Sequence, residues 1–295
     1  MDSQELENYR KAGKIAKDVR EWSRPLVKDG EKILDLANKI EERIKKSGGE
    51  LAFPVNICIN DVTAHYAPKW NDTITIAKED VVSVDLGVHI DGYIADTAYT
   101  LDLSGKHEKM LKANELALSK SIELVKPGLQ VKEVGRVVQE TLTSAGFKPI
   151  ENLTGHEVDR YDLHAGLSVP NIPVPYDWKI EEGMVIALEP FATNGYGRVV
   201  ETKFVEIFSL INPKPTRMSE SRILLKELES RKTLPFAARW FTKKISPMKL
   251  DLVLRDMVFR KILKDYPTLH EKEKGIVSQF EHTVIVTKNG CEVIT

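Results

Sequence analysis

Hydrophobic positions along the chain fall into helical stripes that alternate with β-branched, extended runs. Residues 4–23 and 31–47 read as two helices. In the second, Ile33, Leu34, Leu36, Ala37, Ile40 and Ile44 share one face, and Gly48-Gly49 stand just past its end. The arrangement returns at 108–125 and 131–145, where Val131, Val134, Val137, Val138 and Leu142 form the stripe and Gly146 the stop. One fixed offset carries Leu26-Val27-Lys28-Asp29-Gly30 onto Leu124-Val125-Lys126-Pro127-Gly128, Ser47-Gly48 onto Ala145-Gly146, and Glu42 onto Glu140. Each helix pair precedes extended segments, 80–103 and 183–210, opened by the related phrases KEDVVSVD and EEGMVIAL. Two copies of a helix–helix–strand–strand unit predict an α+β fold of pseudo-two-fold symmetry, a curved antiparallel sheet covered by two helix pairs.

Residues 211–270 interrupt the pattern. They bring Asn212-Pro213-Lys214-Pro215, then helical segments around 219–230 and 247–264 that end at Tyr266-Pro267. A strand-like segment at 276–287 then resumes the alternation of the sheet. Length alone would suggest about two domains. The pattern instead predicts one duplicated body, 1–210 and 271–295, carrying a helical insertion at 211–270.

Charge narrows the partners. With 43 Lys+Arg against 44 Asp+Glu the formal net charge is −1, so no large cationic face for specific nucleic-acid binding is expected. The apolar runs are far shorter than the about 18 residues of a membrane span, and MDSQELENYRKAGKIAKDV has no apolar core like that of a secretory signal. Cys58 and Cys291 stand in no ligand spacing and read as reduced thiols of a cytoplasmic protein.

The chemistry concentrates in carboxylates set among apolar neighbours. SVDLGVHIDGYIADTAYTLDL carries Asp85 and Asp96 an odd number of positions apart, with the turn signal Asp91-Gly92 between them. If His89–Gly92 form a four-residue loop, Asp85 and Asp96 face each other across a hairpin. Carboxylates that close repel unless a cation lies between them; the bland alternative is a pair of solvated strand residues, which the apolar surroundings disfavour. His156 and His164 stand in a glycine-punctuated segment, Glu189 ends the apolar run MVIALEPFA, and Glu281 lies inside SQFEHTVIV. Carboxylate-rich sites with one imidazole suit divalent Mn, Fe, Co or Zn. Two bridging carboxylates can hold a pair of ions about 3.5–4 Å apart, the equipment of a hydrolase.

The order Asp85, Asp96, His156, Glu189, Glu281 resembles the ligand pattern of the pita-bread metallopeptidases. AFPVNICINDVTAHYAP, VDLGVHIDGYIADTAYT, NLTGHEVDRYDLHAGLSVPNI, LEPFAT and QFEHTVIV resemble the signatures of methionine aminopeptidases over essentially the whole chain. The insertion, with TLPFAARW and Tyr266-Pro267, is similar to that of the type 2 enzymes. The lack of a long N-terminal extension makes the chain archaeal-like. The resemblance implies removal of the initiator methionine from nascent chains with a small second residue, by attack of a dimetal-bound hydroxide on the first peptide bond. It implies two divalent ions (Co, Mn, Fe or Zn), with Asp85 chelating one, Asp96 and Glu281 bridging, and His156 and Glu189 completing the other shell. Glu189 would also handle the proton of the attacking water. His65 and His164 would contact the substrate near the scissile bond, and Phe53 would wall the methionine pocket, with Leu163 and Pro235-Phe236 as further candidates. His282, one residue after Glu281, would point to the opposite face. The fold is expected to stand as a monomer, and a transient ribosome contact is compatible with the role.

Two other classes fit the residues less well. Prolidase and aminopeptidase P share the five ligands but usually carry a further N-terminal domain. Pita-bread relatives that act as binding proteins have lost ligands, whereas all five positions here are filled.

Overall fold

A computed structural model describes residues 1–295. Four helices back the main sheet: α1 (Ser3–Ser23), α2 (Ile33–Lys46), α3 (Glu108–Leu124) and α4 (Val131–Ser144). Asp2 starts α1 as a capping box: its carboxylate accepts from the Gln4 and Glu5 amides while Glu5 accepts from its own N–H. The stripes of α2 and α4 are buried as predicted, except that Leu34 and Val137 sit at the margin and are only half-buried.

The repeat is physical as well as textual. Gly30 and Gly128 both adopt left-handed backbone, φ +81° and +86°, where a side chain would be strained. Their amides donate to Ile76 O and Ile180 O at 2.8 Å, and Ile33 N and Val131 N close the matching bonds to Ile74 O and Trp178 O. The same short extended strap therefore leads into α2 and α4.

The nine-stranded sheet runs, in spatial order, Glu50–Leu51, Val81–Ile90, Tyr93–Asp102, Glu281–Thr287, Val185–Leu188, Thr154–Asp159 and Asp162–Pro170. Asn56–Ile59 and Gly290–Val293 pair at its flanks, and every ladder is antiparallel. The strand Glu281–Thr287 is the seam between the halves: it pairs with Tyr93–Asp102 of the first and Val185–Leu188 of the second. One core of 47 buried apolar residues lies between sheet and helices.

The hairpin carrying the aspartates departs from the expected register. Its loop is the two-residue turn Asp91-Gly92, with φ +50° and +88°, the paired left-handed geometry that Asp-Gly favours. Ile90 therefore pairs with Tyr93, Asp85 with Ala98 and Asp96 with Gly87. The two carboxylates sit diagonally on the same face rather than directly opposite.

The segment 211–270 holds α5 (Ser219–Leu228) and α6 (Pro247–Phe259), whose apolar faces meet Phe208, Leu210, Phe236 and Leu263 in a second core of 13 residues. The helix expected over 247–264 ends at Phe259. Leu263–Glu271 is a strand lying between Val199–Leu210 and Val62–Ala64 in a four-stranded sheet. Pro267, expected to stop a helix, pairs with Val205 where the register slips, a place that tolerates a missing N–H.

Candidate metal centre and substrate pocket

Sheet curvature gathers the predicted donors into one cavity of about 220 Å³, lined by Asp85, Asp96, His156, Glu189 and Glu281 together with Phe53, His65, Leu163, His164 and Pro235. Asp85 and Asp96 come from the first-half hairpin, His156 and Glu189 from the second half, and Glu281 from the seam strand. Every sequence-predicted site residue lines the cavity except Phe236, which is buried in the second core with Phe208 and Phe241. His282 lies on the other face, its Nδ1 near Arg20 and Thr295, as its position next to Glu281 predicts.

The geometry favours cation binding. Asp96, His156 and Glu281 are buried, with ligand atoms all within 4.8 Å of one another. His156 Nε2 lies 3.7 Å from Asp96 Oδ2 and 3.5 Å from Glu189 Oε1. Its Nδ1 faces the Glu157 carbonyl at 3.4 Å, which can only accept. The proton therefore belongs on Nδ1, and the Nε2 lone pair points at the carboxylates, the tautomer of a metal ligand.

Burial pushes the Asp85 carboxyl up to about 7. Asp96, Glu189 and Glu281 are driven well above the usual range by burial first and by neighbouring carboxylates second. The same burial lowers His156 to about 4, so it is a neutral ligand at physiological pH. Asp85 Oδ1, Asp96 Oδ1 and Glu281 Oε1 are buried without a hydrogen-bond partner. Unpaired acceptors at one point are costly unless a cation joins them, so the residues present fit divalent metal.

Around the donors stand residues that the sequence reading passed over. Asn56 Nδ2 donates to Asp85 Oδ2 at 3.3 Å, and Gln279 Nε2 to Glu189 Oε2 at 3.3 Å, fixing each carboxylate's orientation. His65 sits at φ +62°, uncommon for a residue with a side chain, and is held there from the strand that follows α6. Its Nδ1 donates to Pro267 O at 3.3 Å, Thr268 Oγ1 donates to its carbonyl, and the Tyr266 ring meets it edge-on at 5.8 Å. Burial lowers His65 to about 4 and His164 to about 2, so both present neutral imidazoles.

The methionine-pocket candidate Phe53 lies over Gly87. A Cβ there would come within 2.2 Å of the ring, so glycine at 87 makes room for the aromatic wall.

A model of metallopeptidase family M24 matches residues 7–288. The chain belongs to that family. Among M24 relatives, the Methanocaldococcus jannaschii methionine aminopeptidase is 43% identical over 295 residues, covering 99% of each chain. The crystal structure of methionine aminopeptidase from Thermotoga maritima superposes with a TM-score of 0.74 at 22% identity, covering 100% of this chain and 98% of that one. The structure of a thermophilic Arx1 superposes at 0.88 with 17% identity, covering 100% and 91%. These two structural likenesses bear out the fold, the pseudo-two-fold α+β arrangement predicted from the repeat and the pita-bread architecture implied by the resemblance.

Proposed function

We propose that this M24 chain is a metal-dependent aminopeptidase that removes the N-terminal methionine of polypeptides whose second residue is small. The observation that carries the reading is the convergence, in one cavity, of five predicted donors, three of them carboxylates with an unpaired buried oxygen, and the apolar wall of Phe53, Leu163 and Pro235. Full-length similarity to a methionine aminopeptidase supports it.

In this reading Asp85, Asp96, His156, Glu189 and Glu281 hold two divalent ions, of which Co, Mn, Fe and Zn all suit the donor set. Bound there, such ions acidify water and polarise the scissile carbonyl. The side chains do the rest. Glu189, its Oε2 oriented by Gln279, takes a proton from the attacking water and returns it to the leaving amine. His65, with its proton fixed on Nδ1 by Pro267, keeps Nε2 free for the substrate near the scissile bond. Neutral His164, its ring tilted against that of His156 with centroids 4.5 Å apart, stabilises charge developing on the carbonyl oxygen. Phe53 excludes water and packs the thioether. The physiological setting is the cytoplasm, where a monomer meeting emerging chains, with or without a passing ribosome contact, suffices.

Incubation with Met-Gly-Met-Met and with Xaa-Pro peptides, plus Mn, Fe or Co, tests the proposal. Methionine release with no cleavage before proline is expected. Cleavage of only the Xaa-Pro peptides overturns it in favour of prolidase chemistry.

A further inference from the structure

The cavity's apolar side is built from three separate pieces of chain, and one short stretch ties them together. Phe53 follows Glu50–Leu51, Leu163 follows the turn at Tyr161, and Pro235 belongs to the insertion. Arg231, Lys232 and Thr233, which connect α5 to Pro235, touch all three. Arg231 Nη2 lies 2.9 Å from Leu51 O, 3.3 Å from Ala52 O and 2.6 Å from Pro235 O. Its guanidinium also stacks over Trp240 at 5.0 Å. Lys232 places its Nζ 3.8 Å from the centre of the Tyr161 ring, and Thr233 Oγ1 donates to Tyr161 O.

These contacts come at a cost that ordinary loop-making would avoid. Lys232 is held at φ +52°, a conformation that a non-glycine residue adopts only where its surroundings over-determine it. Arg231 is half-buried with its Nε unpaired, and burial lowers its pKa to about 10, so it stays charged at neutral pH. A charged fork spent on three carbonyls at the back of an apolar pocket does not serve packing alone, because an apolar residue would fill the space without desolvating a charge.

We propose that Arg231-Lys232-Thr233 is a strap that sets the width of the methionine pocket, with Arg231 as the positioning residue that locks Phe53 and Pro235 at a fixed separation and Thr233 doing the same for the Leu163 wall. The strap touches neither the donor carboxylates nor His65 or His164, so it acts on the first side chain of the substrate and not on the reacting bond. This rests on the methionine-aminopeptidase reading above.

The test compares wild type, Arg231→Ala, Arg231→Lys and Thr233→Val on Met-, norleucine-, Leu- and Ala-Gly-Met-Met, with metal content and melting temperature measured on each. Arg231→Ala should raise KM for the methionine peptide about 10-fold or more, with kcat within about 2-fold, since a loosened pocket removes binding of the side chain and leaves the chemistry intact. Its preference for methionine over leucine and alanine should fall in parallel. Arg231→Lys should recover part of both, and Thr233→Val should shift both in the same direction by less. Thr233→Val also keeps the test decisive if Arg231→Ala fails to fold. A wild type with clear methionine preference and variants that keep its KM and side-chain ranking would overturn the strap. So would a fall in kcat at unchanged KM. A wild type that shows no methionine preference overturns the functional reading beneath it.

Discussion

Replacing Glu41 by glutamine would remove the charge that fastens the 211–270 segment to the catalytic body. Glu41 sits on α2 with 5% of its surface exposed, and its carboxylate accepts from Arg239 Nη2, from Trp240 Nε1 at 2.8 Å and from Val55 N at 3.3 Å. Arg239 is equally enclosed, and its Nε and Nη1 have no hydrogen-bond partner, so Glu41 is the one carboxylate in direct contact with its charge, with buried Glu206 acting from further off. Removing one side of such a buried pair costs about 3–5 kcal/mol, because a desolvated charge is left behind. Over 295 residues, an unfolding entropy of about 2.1 cal/mol/K each gives about 0.6 kcal/mol/K. The melting temperature should therefore fall by about 5–8 °C. Scanning calorimetry on wild type, Glu41→Gln and the double variant Glu41→Met with Arg239→Met measures this directly. The double change, which leaves no unpaired charge, should return most of the stability. A loss below about 1 kcal/mol in Glu41→Gln, or a double variant at least as unstable as the single one, would show that the pair is not what joins the two parts.

The pocket and the donors give further expectations. Gly87→Ala should displace the Phe53 ring, since the new Cβ would stand 2.2 Å from its Cε1; KM for Met-Gly-Met-Met should rise about 10-fold or more with kcat less affected, a comparison steady-state kinetics makes directly. Asp96→Asn or Glu281→Gln should lose most activity and weaken metal binding, checked by metal analysis after dialysis; near-full activity with two retained ions would refute the ligand assignment. The pH dependence has a definite sign. With its carboxyl raised from 3.8 to about 7, folded metal-free Asp85 holds a proton that the unfolded chain has released. The chelated protein should therefore lose stability as pH rises across that window, while metal affinity should rise as ions displace those protons. Melting temperatures from pH 5 to 8, with and without metal, read both trends.

Much of this was legible in the residues, and the parts that were not have physical causes. The repeat could be read because the straps into α2 and α4 demand the same left-handed glycine and the same apolar stripe. The shared face of Asp85 and Asp96 could be read because a two-residue and a four-residue loop preserve strand parity alike. Their exact partners could not, since the two loops differ by two positions of register and only the backbone of Asp91-Gly92 decides between them. Leu263–Glu271 was missed because Pro267 suggests a stop, and only the partner strand's register slip makes room for it. Asn56, Gln279 and Tyr266 lie inside the quoted phrases, but nothing in those phrases sets their roles, which follow from where distant strands bring them. The strained backbone of His65 is equally invisible, because it is imposed by Pro267 and Thr268, some two hundred positions away.

The seam strand Glu281–Thr287 has a consequence for how the molecule comes into being. It supplies the last donor and the hydrogen bonds that join the two halves, pairing with Ala98 and Thr97 on one side and Leu188 through Val185 on the other. During synthesis every other donor has left the ribosome before Glu281 exists, and the two half-sheets have no strand to zip them together. The negative cluster stays open and hydrated until that strand inserts. Assembly of the metal site is then a late, long-range closure, of the kind that makes folding slow, and a newly made molecule stays catalytically silent until this strand is in place.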